Sequence, residues 1–297
     1  MRVFVTGASG WMGSAILPEL IAAGHQVIGL ARSSASASAI SAMGAEVHLG
    51  DLSDLESLKA GAAKADGVIH LAFIHDFSIY AQAAETDRLA IEALGNALAE
   101  SGKPFVVTSG TMMLPRGMLA TEETLPDMTN PMTSLRGKNE AVALAFASRG
   151  VRVSVVRLPP TVHGENDKGF ALRTAELARE KGVSAYVEGQ HRWCAVHRLD
   201  AARAFKLALE KGAAGSVYHV VGEEGVTTQE IAEAIGRQLH VPVVSKSAEE
   251  AQAHFGFLVF LMGADNPASS KQTQERLGWH PSHAGLIEDI EQGYYSK

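Results

Sequence analysis

One segment near the start, Val3-Phe4-Val5-Thr6-Gly7-Ala8-Ser9-Gly10-Trp11-Met12-Gly13, restricts this chain to few folds. An apolar run that reads as a strand meets glycines spaced three apart, and the helix-forming stretch Ser14 to Ala23 follows. Gly7 permits the tight turn from strand to helix, Gly10 lets the backbone approach a diphosphate, and Gly13 lets the helix pack closely on the strand. A helix N-terminus adds unpaired N–H groups and the positive end of its dipole, which suits an anion. The segment therefore reads as a dinucleotide-binding turn, with Ser9, Trp11 and Met12 beside the glycines. The alternative is a glycine turn with a structural role only.

Strand and helix signals alternate after it. Val27 to Leu30, Glu46 to Leu49, Gly67 to Ala72, Phe105 to Thr108 and Val151 to Val156 read as further strands, with helices expected between them. Such near-continuous apolar strands predict a parallel sheet covered on both faces. The expected fold class is α/β: a Rossmann-type doubly wound parallel sheet with a smaller C-terminal α/β substrate lobe. Residues 1–160 form the dinucleotide-binding part, to which 197–222 return through the strand Ser216 to Val221. Residues 161–196 and 223–297 form the lobe. Ligands in such sheets bind at the carboxyl ends of the strands.

Composition narrows the partners. A chain of 297 residues, 46% hydrophobic, can bury a full core. A net charge of −7 gives no basic surface for nucleic acid or an anionic membrane. The single Cys194 excludes an internal disulfide and fits a reducing compartment. No basic-then-apolar leader precedes Arg2, and no apolar run reaches membrane-spanning length, so a cytoplasmic protein is expected. The expected partner is a small-molecule substrate, with neither nucleic acid nor membrane, and a homodimer is allowed.

Thr6-Gly7-Ala8-Ser9-Gly10-Trp11-Met12-Gly13 resembles the TGxxGxxG turn of the short-chain dehydrogenase/reductase superfamily, in its extended, NAD(P)-dependent epimerase/dehydratase-like branch. Other segments match along the chain. Gly50-Asp51-Leu52 is similar to the adenine-contacting turn, and His70-Leu71-Ala72-Phe73 to the strand-four end beside the cofactor. Arg157-Leu158-Pro159-Pro160-Thr161-Val162-His163-Gly164 is similar to the loop at the nicotinamide. The resemblance implies cofactor contacts at Asp51, Leu52, Leu71, Ala72, Phe73, Pro159 and Val162. Strand two ends in Arg32-Ser33-Ser34, where an NAD site expects an acidic residue for the ribose 2′-OH. A guanidinium and hydroxyls suit a 2′-phosphate instead, so NADP is expected over NAD.

The family's catalytic pattern is Tyr-x-x-x-Lys on the helix after strand five. The resemblance puts Lys138 at the lysine position, as a ribose anchor, and Ser134 at the tyrosine position. A serine hydroxyl is shorter and far less acidic, so standard tyrosine catalysis is not expected. Within Thr108-Ser109-Gly110-Thr111, Gly110 falls at the position of the family's partner hydroxyl, leaving Ser109 and Thr111 as substitutes that could act with Ser134 through water. Tyr80 could face the nicotinamide or simply stand at a cleft rim. Tyr186, Trp193 and His197 could form an aromatic pocket wall or a packed lobe interface. His163, like His75, could titrate near neutral pH or be structural. No metal-ligand spacing is present, and no metal is expected.

These features point to an NADP(H)-dependent oxidoreductase of a small, mostly apolar carbonyl-type substrate. A cofactor-retaining epimerase, dehydratase or lyase, and a non-catalytic NADP-binding sensor, are the alternatives.

Overall fold

The computed structural model describes residues 1–295, so the last two residues of the expected lobe lie outside the described residues. In chain order, β1 (Arg2–Thr6), α1 (Gly13–Ala22), β2 (Gln26–Ala31), α2 (Ser34–Ala42), β3 (Glu46–Leu49), α3 (Leu55–Ala63) and β4 (Gly67–His70) form the first half. The helix α4 (Tyr80–Leu98), β5 (Pro104–Gly110), α5 (Pro131–Ala145) and β6 (Arg152–Leu158) complete the alternation. Side chains set the helix starts: Ser33 caps α2, Asp54 caps α3, and Asn130 with Pro131 opens α5.

The second half runs β7 (Thr161–His163), α6 (Phe170–Lys181), β8 (Ser184–Val187), β9 (Arg192–His197), α7 (Arg198–Lys211) and β10 (Ser216–His219). It ends with β11 (Glu223–Thr227), α8 (Thr228–Leu239), β12 (Val243–Lys246), α9 (Ala248–Phe255), α10 (Val259–Met262), α11 (Lys271–Leu277) and α12 (Leu286–Glu291). Seven parallel strands form the main sheet in the order β3-β2-β1-β4-β5-β6-β10. The order reverses between β1 and β4, and their carboxyl ends define the crevice.

Strand alternation puts two cores on the sheet. Val3, Val5, Ile69, Val106 and Val156 face Leu17 and Leu20 of α1 and Phe205 and Leu209 of α7. Phe4, Val68, Phe105, Val107 and Val153 face Leu58 of α3 and Ile91 and Leu94 of α4. Both faces are buried, which is why these strands read as continuous apolar runs. A third core, in the lobe, gathers Trp193, Ile231, Ile235, Phe255, Leu261 and Ile290.

Two elements differ from expectation. The fourth strand stops at His70, where the Leu71 N–H is shared between the Thr6 carbonyl and Thr6 Oγ1 and the Ala72 N–H donates to Thr6 Oγ1. The antiparallel pairing of β9 with β11 was not foreseen, since Glu223-Glu224-Gly225 carries no apolar alternation. Among the described residues, no helix is long and apolar enough to cross a membrane.

Candidate functional site

The three glycines of the first turn differ in what surrounds them. Gly7 has φ +69°, and a Cβ there would lie 2.9 Å from the Ala72 nitrogen. A Cβ on Gly13 would lie 2.3 Å from the Gly7 oxygen and 2.4 Å from the Ala8 oxygen. The fold itself requires both. Gly10 is exposed, and a Cβ there would meet only the Gly7 oxygen, at 3.1 Å. Packing gives little reason for a glycine at that position, whereas close approach of a ligand to the backbone does. No side chain caps α1. Ser14 and Ala15 already donate to the Gly10 and Met12 carbonyls, so the N–H groups of Trp11, Met12 and Gly13, with the helix dipole, are those available to a diphosphate. The turn thus fits the diphosphate of a dinucleotide.

Beneath it runs a buried polar chain that sequence reasoning missed. Thr6 Oγ1 accepts from Leu71 and Ala72 at 3.2 Å each, and contacts His70 Nδ1 at 2.8 Å. With both acceptor sites used, the Thr6 hydroxyl donates to Nδ1, so His70 carries its proton on Nε2, 3.2 Å from Asp87 Oδ1. Asn139 donates to Asp87 Oδ2 at 2.7 Å, and Arg136 Nε lies 3.8 Å from the same oxygen. Burial pushes the Asp87 carboxyl up, but Arg136, His70 and Asn139 together hold it below the ordinary aspartate value. Arg136 also donates to the Thr108 carbonyl at 2.8 Å and stands 4.1 Å over the Phe73 ring. One guanidinium therefore joins α5, α4 and the ends of β4 and β5.

Lys138, the expected ribose anchor, stands apart from this network. Lys138 is exposed, and about 200° of helix rotation separates it from Arg136, at 3.6 residues per turn. The buried pair Glu140–Arg157 fixes this rotation by locking α5 onto β6. Residues four apart share a helix face, so Arg136 lies on the side of Glu140 and Lys138 on the side of Ser134. Glu140 was the signal that could have found Arg136: a carboxylate in a helix, opposite an arginine in an apolar strand.

The substitute hydroxyls are not brought together. Thr111 is fully buried and donates to Asn266 Oδ1 at 2.8 Å, beside Cys194 Sγ at 3.2 Å. Burial pushes that thiol up to about 12. Ser134 donates to its own helix, to the Pro131 carbonyl at 3.2 Å. Ser109 is enclosed with its hydroxyl unpartnered, on the Phe105–Val107 face of β5.

The expected pocket residues also scatter. Trp193 takes the packed alternative: it is fully buried in the lobe core, where its indole N–H donates to the Leu261 carbonyl. His163 is enclosed and pairs with Asp289 at 2.5 Å. His197 caps α7 and stacks on His283 at 4.6 Å. Tyr186 stands half-buried on β8, in register with Ser245. Among the expected cofactor contacts, Leu71, Ala72 and Phe73 follow β4 half-buried, Pro159 is buried and Val162 lies half-buried on β7. Ser33 is committed to the α2 cap, Arg32 is exposed beside it, and Asp51 and Leu52 follow β3. Hydrogen bonds from Ser53 hold Asp51 below its ordinary value, with a smaller pull from Arg32.

Tyr80 opens α4 beside Phe73 and Phe77. Its ring lies 6.1 Å from Phe73 and stacks on Phe77 at 6.2 Å. Burial pushes its phenol up, and Arg136 pulls in the other direction. Phe77 in turn meets Phe257 at 6.2 Å and Phe260 at 6.3 Å, across the cleft on the lobe. These three phenylalanines remain 43%, 61% and 40% exposed, with Ile79 beside them at 40%. Exposed aromatic surface at a cleft costs solubility unless a ligand covers it. The cleft therefore runs from the polar strand ends to an apolar rim.

A family model described as the NAD dependent epimerase/dehydratase family matches residues 3–221. The chain is 49% identical over 297 residues to an uncharacterized protein of Schizosaccharomyces pombe, covering 99% of this chain and 100% of that one. It is 28% identical over 269 residues to 4-hydroxy-2-methyl-3-oxo-4-farnesyl-3,4-dihydroquinoline-1-oxide ketoreductase of Stigmatella aurantiaca, covering 86% and 80%. The fold matches UDP-glucose 4-epimerase of Thermotoga maritima with a TM-score of 0.78 at 20% identity, covering 100% and 98%.

Proposed function

The chain belongs to the NAD dependent epimerase/dehydratase family, and from that premise we propose that it is an NADP(H)-dependent oxidoreductase reducing a small, mostly apolar ketone. When bound, the nicotinamide supplies a hydride to the carbonyl carbon. The turn at Gly10 and the N-terminus of α1 hold the diphosphate. Arg136 takes the ribose-anchoring part expected of Lys138, since it is the cation of α5 held at the ends of β4 and β5 by the Thr108 carbonyl and the Phe73 ring. Met132 offers no hydroxyl, so the proton for the carbonyl oxygen comes from elsewhere. Tyr80 is the candidate donor. Its raised pKa keeps the phenol protonated at neutral pH, and water recharges it at the rim.

The observation that carries the substrate class is the aromatic rim of Phe77, Phe257 and Phe260, facing the strand ends across the cleft. The Stigmatella relative is a ketoreductase whose named substrate bears a farnesyl chain, which agrees with an apolar tail lying there. A nucleotide-sugar substrate, as in an epimerase or dehydratase, would leave its hydroxyls against this apolar surface.

Arg32 carries the cofactor preference, being exposed with no carboxylate paired to it among the described residues. Calorimetry is expected to give tighter binding of NADPH than of NADH. Arg32→Ala should cost about 1.5–3 kcal/mol for NADPH alone, as for a hydrogen bond to a charged group. Preference for NADH, or an equal loss for both cofactors, would sink the NADP assignment. Turnover of NADPH with medium-chain ketones tests the reaction itself.

A further inference from the structure

Arg198, the first residue of α7, stands at the N-terminus of α1. Its Nη2 donates to Ser14 Oγ at 2.6 Å, and its guanidinium lies 4.9 Å over the Trp11 ring. Ser14 Oγ in turn donates to the Trp11 carbonyl at 2.9 Å. The glycine turn and the residue that opens α7 are thus one structure.

The electrostatics of this arrangement are incomplete. Arg157, Arg136, Arg192 and Arg203 each face a carboxylate. Arg198 has none among the described residues, and its Nε is enclosed without a partner. Burial alone acts on its ionisation, lowering it, with no acidic group to offset the cost. It also lies at the positive end of α1, where a cation is disfavoured. A half-buried guanidinium with an enclosed, unpartnered Nε beside a helix N-terminus gains most when an anion lies between them.

We infer that Arg198 is a direct ligand of the cofactor diphosphate, brought to the glycine turn from the helix that leaves the lobe. This rests on the dinucleotide reading above. Its fork of donors suits two phosphate oxygens, which a lysine could not bridge in the same way. Trp11 holds the guanidinium in place through its ring face. Because α7 directly follows β9, a strand of the lobe sheet, occupancy of the diphosphate site and the position of that sheet are linked through one side chain.

The test uses two probes on the intact protein: 2′-phospho-ADP-ribose, which has the diphosphate, and adenosine 2′-phosphate, which lacks it. Arg198→Gln is expected to weaken the first roughly ten- to hundredfold, in line with loss of a charged hydrogen bond. It should change the second less than about twofold, a difference too small for any lost charged contact. Arg198→Lys should recover part of the loss. Equal weakening of both probes would mean that Arg198 only shapes the turn, and would overturn the inference. So would unchanged binding of both. If wild type binds neither probe, the dinucleotide reading falls and takes this inference with it. Thermal unfolding of the free variants excludes a folding defect as the cause.

Discussion

Gly10→Val is expected to abolish dinucleotide binding in a protein that still folds. The Cβ it adds meets only the Gly7 oxygen, at 3.1 Å, so the chain must give by a few tenths of an ångström and no more. The rest of the valine projects into the space above α1, where a diphosphate would approach the backbone. Loss of that contact removes the helix N-terminal N–H groups from the anion as well. Affinity for either cofactor should fall by more than about a thousandfold, equivalent to over 4 kcal/mol. Gly13→Val is the contrast. Its Cβ would lie 2.3 Å from the Gly7 oxygen, and it should fail to fold rather than merely fail to bind. A folded Gly10→Val protein with wild-type affinity would show that the turn is structural only.

Arg136→Met should destabilise the fold by about 3–5 kcal/mol at neutral pH, the cost of leaving a buried charge without its partner. The Asp87 side chain is only 3% exposed, and Arg136 is the strongest influence holding its carboxyl down against burial. In the wild type, a depressed carboxyl contributes stability above the ordinary aspartate pKa of about 4 and loses it as pH falls through the folded value. Without Arg136 the folded value rises toward the unfolded one, so the ionised Asp87 contributes less stability above the ordinary aspartate pKa. The deficit should therefore be largest near neutrality and shrink toward about pH 4. Urea unfolding at both pH values measures it. An equal deficit at the two would mean that Arg136 contributes packing against Phe73 and little charge compensation.

Much of this architecture was readable in the sequence, and the physical reason is burial. Strands such as Val3 to Val5 and Phe105 to Val107 are covered on both faces and so are apolar throughout. Gly7 and Gly13 announced a strand–turn–helix unit because no other residue fits there. The place of Arg136 was not readable by matching a lysine to a pattern, because Asp87 and the Thr108 carbonyl reach it from α4 and β5. Thr111 and Trp193 failed for a related reason. Their chemistry suited a site, yet Asn266 and the Leu261 carbonyl, distant in sequence, had already engaged them. The aromatic rim was also hidden, since Phe77 and Phe257 meet only once the lobe has folded over the sheet.

The central claim, that this fold reduces apolar ketones with NADPH, is tested most directly by the rate at which 2-alkanones of increasing length oxidise the cofactor. Wild type and Tyr80→Phe are compared side by side. In the wild type, kcat/KM should climb about fourfold per methylene until the rim is filled, matching about 0.8 kcal/mol for each buried CH₂. Tyr80→Phe should bind NADPH unchanged and turn over at least about a hundredfold more slowly, as for loss of a general acid. Tight NADPH binding with no oxidation across the whole series would contradict the account and leave a protein that binds the cofactor without using it.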